Sequence, residues 1–372
     1  MKKILLSIII PVYNSEKSIK KCISSIVKQK RDDVEVIIVD DGSSDNTANI
    51  IKEMIVNQEK FVYIYQENKG SGEARNKGIE AAKGEFVTFV DSDDYVTENF
   101  LSNICHIIAS KTNLDLIVWG YNIYYKEEEK TVERMPTITG EVNGKDYLRY
   151  IIGACGGGVG PVWCKAYRRG FVITNNLKFG EYKTAEDGHY NTKCLLYVQK
   201  IYVADFVGYV YIKEDYILHS QKLFFNRPHF FESSVNVTVD RLKLLSEAID
   251  KQKLEDGYRK KYIEQRWISF ENINQQNSLY NINIFNKLKV NKMIINTLIS
   301  EEMFDEGTQE QKKVVKLIDA NNQFKGIKLW CWNCRYRGYT KGAIIYFIAG
   351  IVFAKETKRG KLIRKVLKGK RV

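Results

Sequence analysis

Phe86-Val87-Thr88-Phe89-Val90-Asp91-Ser92-Asp93-Asp94 decides how this chain is read. Its first five residues are apolar or β-branched without alternation, the pattern of a strand covered on both faces. Three carboxylates follow within four positions, where the strand must end in a turn. In open α/β sheets, ligands bind just beyond the carboxyl ends of the strands. Asp91, Ser92 and Asp93 therefore stand where a ligand would. Carboxylates this close repel one another unless something positive lies between them. A hard divalent cation with oxygen ligands meets that need. Taken alone, the same residues also describe a solvated acidic turn.

The flanking sequence separates these readings. Residues 5–14 form a short apolar strand ending at Asn14 and Ser15, which are able to cap a helix. Ile19, Cys22, Ile23 and Ile26 then share one helical face. Residues 34–39 are a second strand. It ends in Asp40-Asp41-Gly42-Ser43-Ser44-Asp45-Asn46-Thr47, a turn that opens a helix through Ile50, Ile51 and Met54. Residues 61–65 are a third strand, 68–72 a loop, and 73–82 a helix closed by Gly84. This alternation predicts a parallel, helix-covered sheet. Parallel strands all end on one side, so the acidic turns at Asp40-Asp41 and Asp91-x-Asp93 share a sheet edge. No G-x-G-x-x-G follows the first strand and no lysine-bearing phosphate loop is present, which excludes the common dinucleotide and NTPase fingerprints.

Four blocks carry a resemblance. Ser7-Ile8-Ile9-Ile10-Pro11-Val12-Tyr13-Asn14, Val39-Asp40-Asp41-Gly42-Ser43-Ser44-Asp45, Gly70-x-Gly72-x-Ala74-Arg75-Asn76 and Val90-Asp91-Ser92-Asp93-Asp94 resemble glycosyltransferase family 2, of the bacterial cell-surface polysaccharide type. The resemblance covers about the first 95 residues. It implies a GT-A fold, a Rossmann-like mixed α/β sheet covered by helices, here with a helical C-terminal extension. It implies that Pro11 and Tyr13 lie along a nucleotide base and that Asp41, with or without Asp40, accepts from the base N–H. Arg75 is expected near the base or the phosphates, and Asp91 and Ser92 beside the nucleotide. Asp93 and Asp91 are the expected ligands of Mn2+ or Mg2+.

Later motifs extend the resemblance. Residues 154–160 are glycine-rich, either a loop beside the sugar or a plain linker. Residues 162–169 are similar to the block preceding the family's acceptor side. In Thr184-Ala185-Glu186-Asp187-Gly188-His189-Tyr190 the resemblance makes Asp187 the general base at a helix start, where the dipole favours its charged form. The competing reading is a simple helix N-cap. His219 falls where some relatives place a metal or phosphate contact. Cys331-Trp332-Asn333-Cys334 is a single C-x-x-C with no second pair, a weak zinc signal.

The 372 residues are 44% hydrophobic, ordinary for a globular protein. Seven scattered cysteines argue against a disulfide framework and for a reducing compartment. Residues 4–12 are apolar but contain Pro11 and no cleavage site, so they read as a strand rather than a signal peptide. The net charge of +13 is carried wholly by residues 325–372, with 14 Lys and Arg against Glu356. The 44 basic and 44 acidic residues before them cancel, which argues against a nucleic-acid-binding body. Residues 342–354 are apolar without a break. As a helix they reach about 20 Å, short of the ~30 Å hydrocarbon core. Trp330 and Trp332 precede this run, and Phe347 and Phe353 lie in it. Lys361, Arg364, Lys365 and Lys368 surround an apolar face after it. That pattern predicts a helix lying in an anionic membrane surface.

The expected division is a GT-A catalytic domain over 1–222, a helical accessory region over 223–324 and a membrane-associating tail over 325–372. The expected activity is inverting, metal-dependent transfer of one hexosyl or N-acetylhexosaminyl unit from a nucleotide-diphosphate sugar, UDP-linked by preference, to a hydroxyl of a lipid-linked or cell-surface glycan. The expected place is the cytoplasm, attached to the inner face of the cell membrane. The alternative is a non-catalytic nucleotide-sugar-binding subunit that tethers a glycan-synthesis complex to the membrane. Retention of both Asp93 and Asp187 argues against it.

Overall fold

The computed structural model describes residues 3–153, 159–182, 184–213, 228–255 and 257–258. β1 (Leu6–Val12) and β2 (Val34–Asp40) are buried at every position. A strand between two helical layers has no solvent face, which is why neither alternates. β3 (Phe61–Tyr65) lies beyond β2, and β4 (Phe86–Phe89) lies on the other side of β1; all four run parallel. α1 (Ile19–Val27) buries Ile19, Cys22, Ile23 and Ile26, the face expected from spacing. Its N-cap is Ser18, without a side-chain cap bond. Asn14 instead adopts a left-handed conformation, φ 49°, and its side-chain oxygen accepts from Ser44 N–H at 2.8 Å. Asn14 thus laces two turns together instead of capping a helix. α2 (Thr47–Ile55) and α3 (Ser71–Ala81) complete the first half.

The second half is mixed, as the fold class requires. β5 (Tyr95–Val96), α4 (Phe100–Ser110) and β6 (Leu116–Tyr125) follow, then β7 (Lys130–Arg134), β8 (Gly140–Asn143) and α5 (Gly144–Gly153). The charged segment near residue 130 is thus a hairpin, β7 running antiparallel to β6. β9 (Lys165–Arg168), α6 (Arg169–Thr174), α7 (Glu186–Leu195), β10 (Lys200–Lys213) and α8 (Pro228–Lys251) end the described elements. The sheet order is β3-β2-β1-β4-β9-β6-β10-β5, with β7 on β6 and β8 on β10. The chain moves outward from β1 in both directions, so the crevice between the ends of β1 and β4 is a topological switch point. A buried carboxylate helps register the two strands. Glu35 Oε1 accepts from Ser7 Oγ at 2.7 Å and Lys83 N at 2.6 Å.

α3 lies close on β1 because its contact positions are small. A Cβ at Gly78 would come 2.3 Å from Ile9 Cγ2 in the packed core. Gly78→Ala is therefore expected to destabilise despite a helix-propensity gain of ~1 kcal/mol, because overpacking costs about 1–3 kcal/mol. A melting temperature at or above the parent's would refute this.

Of the region read as a helical extension, the structure describes α8, whose Leu245, Ala248 and Ile249 are buried. α8 packs on α7, and the Tyr182 hydroxyl donates to Asp240. No helix among the described residues is long and apolar enough to cross a membrane. The tail residues Trp330, Trp332, Phe347, Phe353, Lys361, Arg364, Lys365 and Lys368 lie outside the described residues, as does His219.

Candidate active site

A cleft of about 590 Å³ opens at the switch point. It is walled by residues 11–18 at the end of β1 and just beyond it, by Asp41 and Asp45 after β2, by Ser71 and Arg75 of α3, and by residues 91–93 after β4. The two acidic turns therefore meet at one sheet edge. Pro11 is buried in the floor, and the Tyr13 ring is 52% exposed, a surface on which a flat base can stack.

Asp40 and Asp41 separate by strand geometry. Successive side chains of a strand point to opposite faces. Asp40 is fully buried and accepts from Ser43 N at 2.8 Å and the Tyr63 hydroxyl at 2.6 Å, so it does not reach the cleft. Asp41 does. Its Oδ1 accepts from Gln66 Nε2 at 2.7 Å and Lys69 N at 2.8 Å, and its Oδ2 from Gly70 N at 2.8 Å. A carboxylate oxygen has two acceptor positions. Oδ2 thus keeps one for a ligand N–H.

Arg75 is the largest departure from expectation. It lines the cleft but is nearly buried, its side chain 5% exposed. Nη2 pairs with Asp91 Oδ1 at 2.8 Å, and Nη1 reaches Glu186 Oε1 and Asp187 Oδ1 at 3.2 Å each. The positive charge between the site's carboxylates is therefore, in the first place, a guanidinium. Burial works against its charge, yet Asp187, Asp91 and Glu186 outweigh that and hold its pKa above the ordinary value. Ser71 Oγ also donates to Glu186 Oε1, at 2.8 Å.

Asp187 is not an N-cap. α7 starts at Glu186, and its N-cap is Ala185 in a left-handed conformation, φ 56°. Asp187 Oδ2 accepts from Val162 N at 3.3 Å. Burial pushes its carboxyl up to about 6, Arg75 opposes the push, and Asp91 and Glu186 add to it. The side chain keeps 24% exposure, so solvent screens part of this effect. His189, two residues on, faces away and packs edge-on against Tyr182 with ring centroids 4.6 Å apart.

The turn itself divides its carboxylates. Asp93 is exposed at the cleft wall. Ser92 Oγ lies 2.7 Å from Ser15 Oγ, tying the turns after β1 and β4. Asp94 points back into the core, as expected of a structural turn residue. Its Oδ1 accepts from Ile212 N at 2.7 Å and its Oδ2 from the Tyr209 hydroxyl at 2.7 Å. Burial, with Asp93 and Asp91 adding, pushes its carboxyl up to about 8.

Residues 7–173 match the model for glycosyl transferase family 2. The chain is 34% identical to EpsH of Bacillus subtilis over 199 residues, 52% of this chain and 57% of that one. It is 38% identical to the glycosyltransferase GlyG of Streptococcus pneumoniae over 121 residues, 32% and 40% of the two chains. It spans about half the length of these relatives. Residues 1–349 of S. aureus TarS, solved with UDP, superpose with a TM-score of 0.67 at 24% identity over 90% of this chain and 91% of that one. The same protein with UDP-GlcNAc gives 0.62 at 25% identity over 91% and 93%. The fold is thus the GT-A arrangement.

Asp187 lies past the matched segment, carried by a helix that α8 backs. Three carboxylates against one guanidinium leave an excess of negative charge. Asp91 and Asp93 at the cleft wall offer hard oxygen donors. No group of three or more His, Cys, Asp or Glu side chains able to hold a metal occurs among the described residues. Two carboxylates still fit a cation of the Mg2+ type, which completes its shell with water and substrate phosphates. Sequence reasoning missed Glu186, Gln66 and Tyr209 as parts of the site. Glu186 alone had a signal, its place next to Asp187.

Proposed function

We propose that this protein is an inverting glycosyltransferase that moves one hexosyl or N-acetylhexosaminyl unit from a UDP-sugar to a hydroxyl of a lipid-linked or cell-surface glycan. The observation that carries this reading is that Asp187 and the Asp91–Asp93 turn of the cleft wall meet on one guanidinium, that of Arg75. Asp41 keeps one acceptor position, which suits the N3–H of uracil, and the Tyr13 ring suits the base. The acceptor oxygen attacks the anomeric carbon from the face opposite the diphosphate. The new C–O bond forms as the bond to the diphosphate oxygen breaks, and that oxygen leaves with the electron pair. Asp187 takes the hydroxyl proton. Arg75 and the Val162 N–H hold the Asp187 carboxylate in place for that transfer. Asp91 and Asp93 would hold a divalent cation, Mn2+ or Mg2+, which would supply positive charge against the leaving diphosphate.

A panel of nucleotide sugars with Mn2+, read by hydrolysis and thermal shift, tests the donor. Stabilisation by UDP-sugars over GDP- and dTDP-sugars is expected, and no response to any member refutes the reading. The pH profile tests the base. Asp187 must be ionised to accept a proton, so kcat/KM is expected to be flat above its pKa of about 6 and to fall tenfold per pH unit below it. An acid limb centred near 4 would mean that burial does not raise the Asp187 carboxyl in the working enzyme.

The tail is proposed to hold the enzyme on the anionic cytoplasmic leaflet, beside a lipid-linked acceptor. Its clustered lysines and arginines support this, each adding about 1 kcal/mol near anionic lipid. A chain ending at Ile327 is expected to lose binding to phosphatidylglycerol vesicles. Retained binding would remove the tail from the account.

A further inference from the structure

The turn that presents Asp91 and Asp93 is held from behind. The Asp91 N–H donates to the Tyr209 hydroxyl at 3.1 Å, and that hydroxyl donates to Asp94 Oδ2 at 2.7 Å. Tyr209 is fully buried, and Asp94 is 1% exposed. The Tyr209 ring stacks on Trp163, with centroids 4.3 Å apart and planes 9° apart. Trp163 sits in the short 3-10 turn Val162–Cys164, whose first N–H reaches Asp187. One chain of contacts therefore runs from the Asp91 backbone to the Asp187 carboxylate, separate from the Arg75 bridge.

Local irregularity places Tyr209 there. The register of β10 on β6 slips between Val207 and Tyr209, so one extra residue, Gly208, resets the strand's alternation. Bulges of this kind re-aim side chains beside active sites. Only glycine fits at the slip, since a Cβ on Gly208 would lie 2.7 Å from Trp119 Cδ1.

We propose that Tyr209 is a positioning residue for the reaction: its hydroxyl sets the turn bearing Asp91 and Asp93, and its ring ties that turn to the peptide holding Asp187. This rests on the nucleotide-diphosphate reading of the cleft. Supporting groups behind a ligand site typically change affinity about 10- to 100-fold when altered.

The test is calorimetric UDP binding by the full chain, with and without Mn2+, in the parent, Tyr209→Phe and Tyr121→Phe. Tyr121 packs edge-on against Trp163 in the same aromatic cluster, at 4.7 Å. Tyr209→Phe is expected to lose about tenfold of the Mn2+-dependent affinity and to leave the Mn2+-independent part unchanged. Tyr121→Phe is expected to match the parent. Asp94→Asn has one oxygen in place of two for Ile212 N–H and the Tyr209 hydroxyl, and is expected to shift the same parameter in the same direction. It serves as the second variant should Tyr209→Phe fold poorly. A lowered melting temperature with parent-like Mn2+ dependence would make Tyr209 a core residue only and overturn the proposal. Absence of Mn2+-dependent UDP binding in the parent would overturn the nucleotide reading, and this inference with it.

Discussion

Asp187→Asn is expected to reduce sugar transfer by about 10²- to 10⁴-fold, the usual contribution of a positioned base, with UDP affinity and folding close to the parent's. The local geometry explains why the loss should be confined to chemistry. The amide oxygen can still accept from Val162 N–H, so the loop before β9 keeps its anchor. Arg75 keeps Asp91 and Glu186 as partners, so no buried charge is orphaned. Removing one of three mutually repelling carboxylates relieves strain as well as attraction. Asp93→Ala should behave in the opposite way. It leaves the base intact and removes Mn2+-dependent nucleotide affinity. Steady-state kinetics with calorimetry separate the two. Near-parent turnover in Asp187→Asn would mean that another group takes the proton.

Arg75→Met has the largest expected effect on the whole molecule. Methionine fills similar space without charge, so Asp91, Glu186 and Asp187 would face one another with no cation among them. Breaking a buried ion pair by removing one partner costs about 3–5 kcal/mol, and for a domain of this size that corresponds to roughly 10 °C in melting temperature. The deficit should carry a pH signature. Asp187 is already raised by burial, and the variant loses the Arg75 charge that opposes the rise, so the penalty is full where Asp187 is ionised. It shrinks as the pH falls through that raised value and the group protonates. Thermal unfolding from pH 7.5 down to pH 5 reads this directly. A pH-independent loss, or one below about 1 kcal/mol, would show that the cluster is solvated rather than held by Arg75.

The first half of the fold was legible because its signals are local. β1, β2 and α1 announce themselves by runs of Ile and Val and by three-to-four spacing, and short loops force parallel neighbours. The sheet's second half was not, since β9 enters antiparallel between β4 and β6, and no local pattern states which distant strand lies beside which. The site divides along the same line. Asp41, Asp91 and Asp93 could be named because each follows a strand end. The role of Arg75 could not, since its contact with Glu186 spans 111 positions. The choice between Asp40 and Asp41 depended on which face of β2 turns to the cleft. Alternation guarantees that the two differ, but not which one is inside.

The placement of β10 between β6 and β5 also has a consequence in time. The Tyr209 hydroxyl that steadies the acidic turn is 115 positions downstream of Asp94. At synthesis rates of roughly 5–20 residues per second, the turn waits on the order of ten seconds on the ribosome before its support exists. β1 to β4 can pair during that interval, because their partners are already made. The cleft walls after β1 and β2 can therefore form before the Asp91–Asp94 turn gains its support from β10.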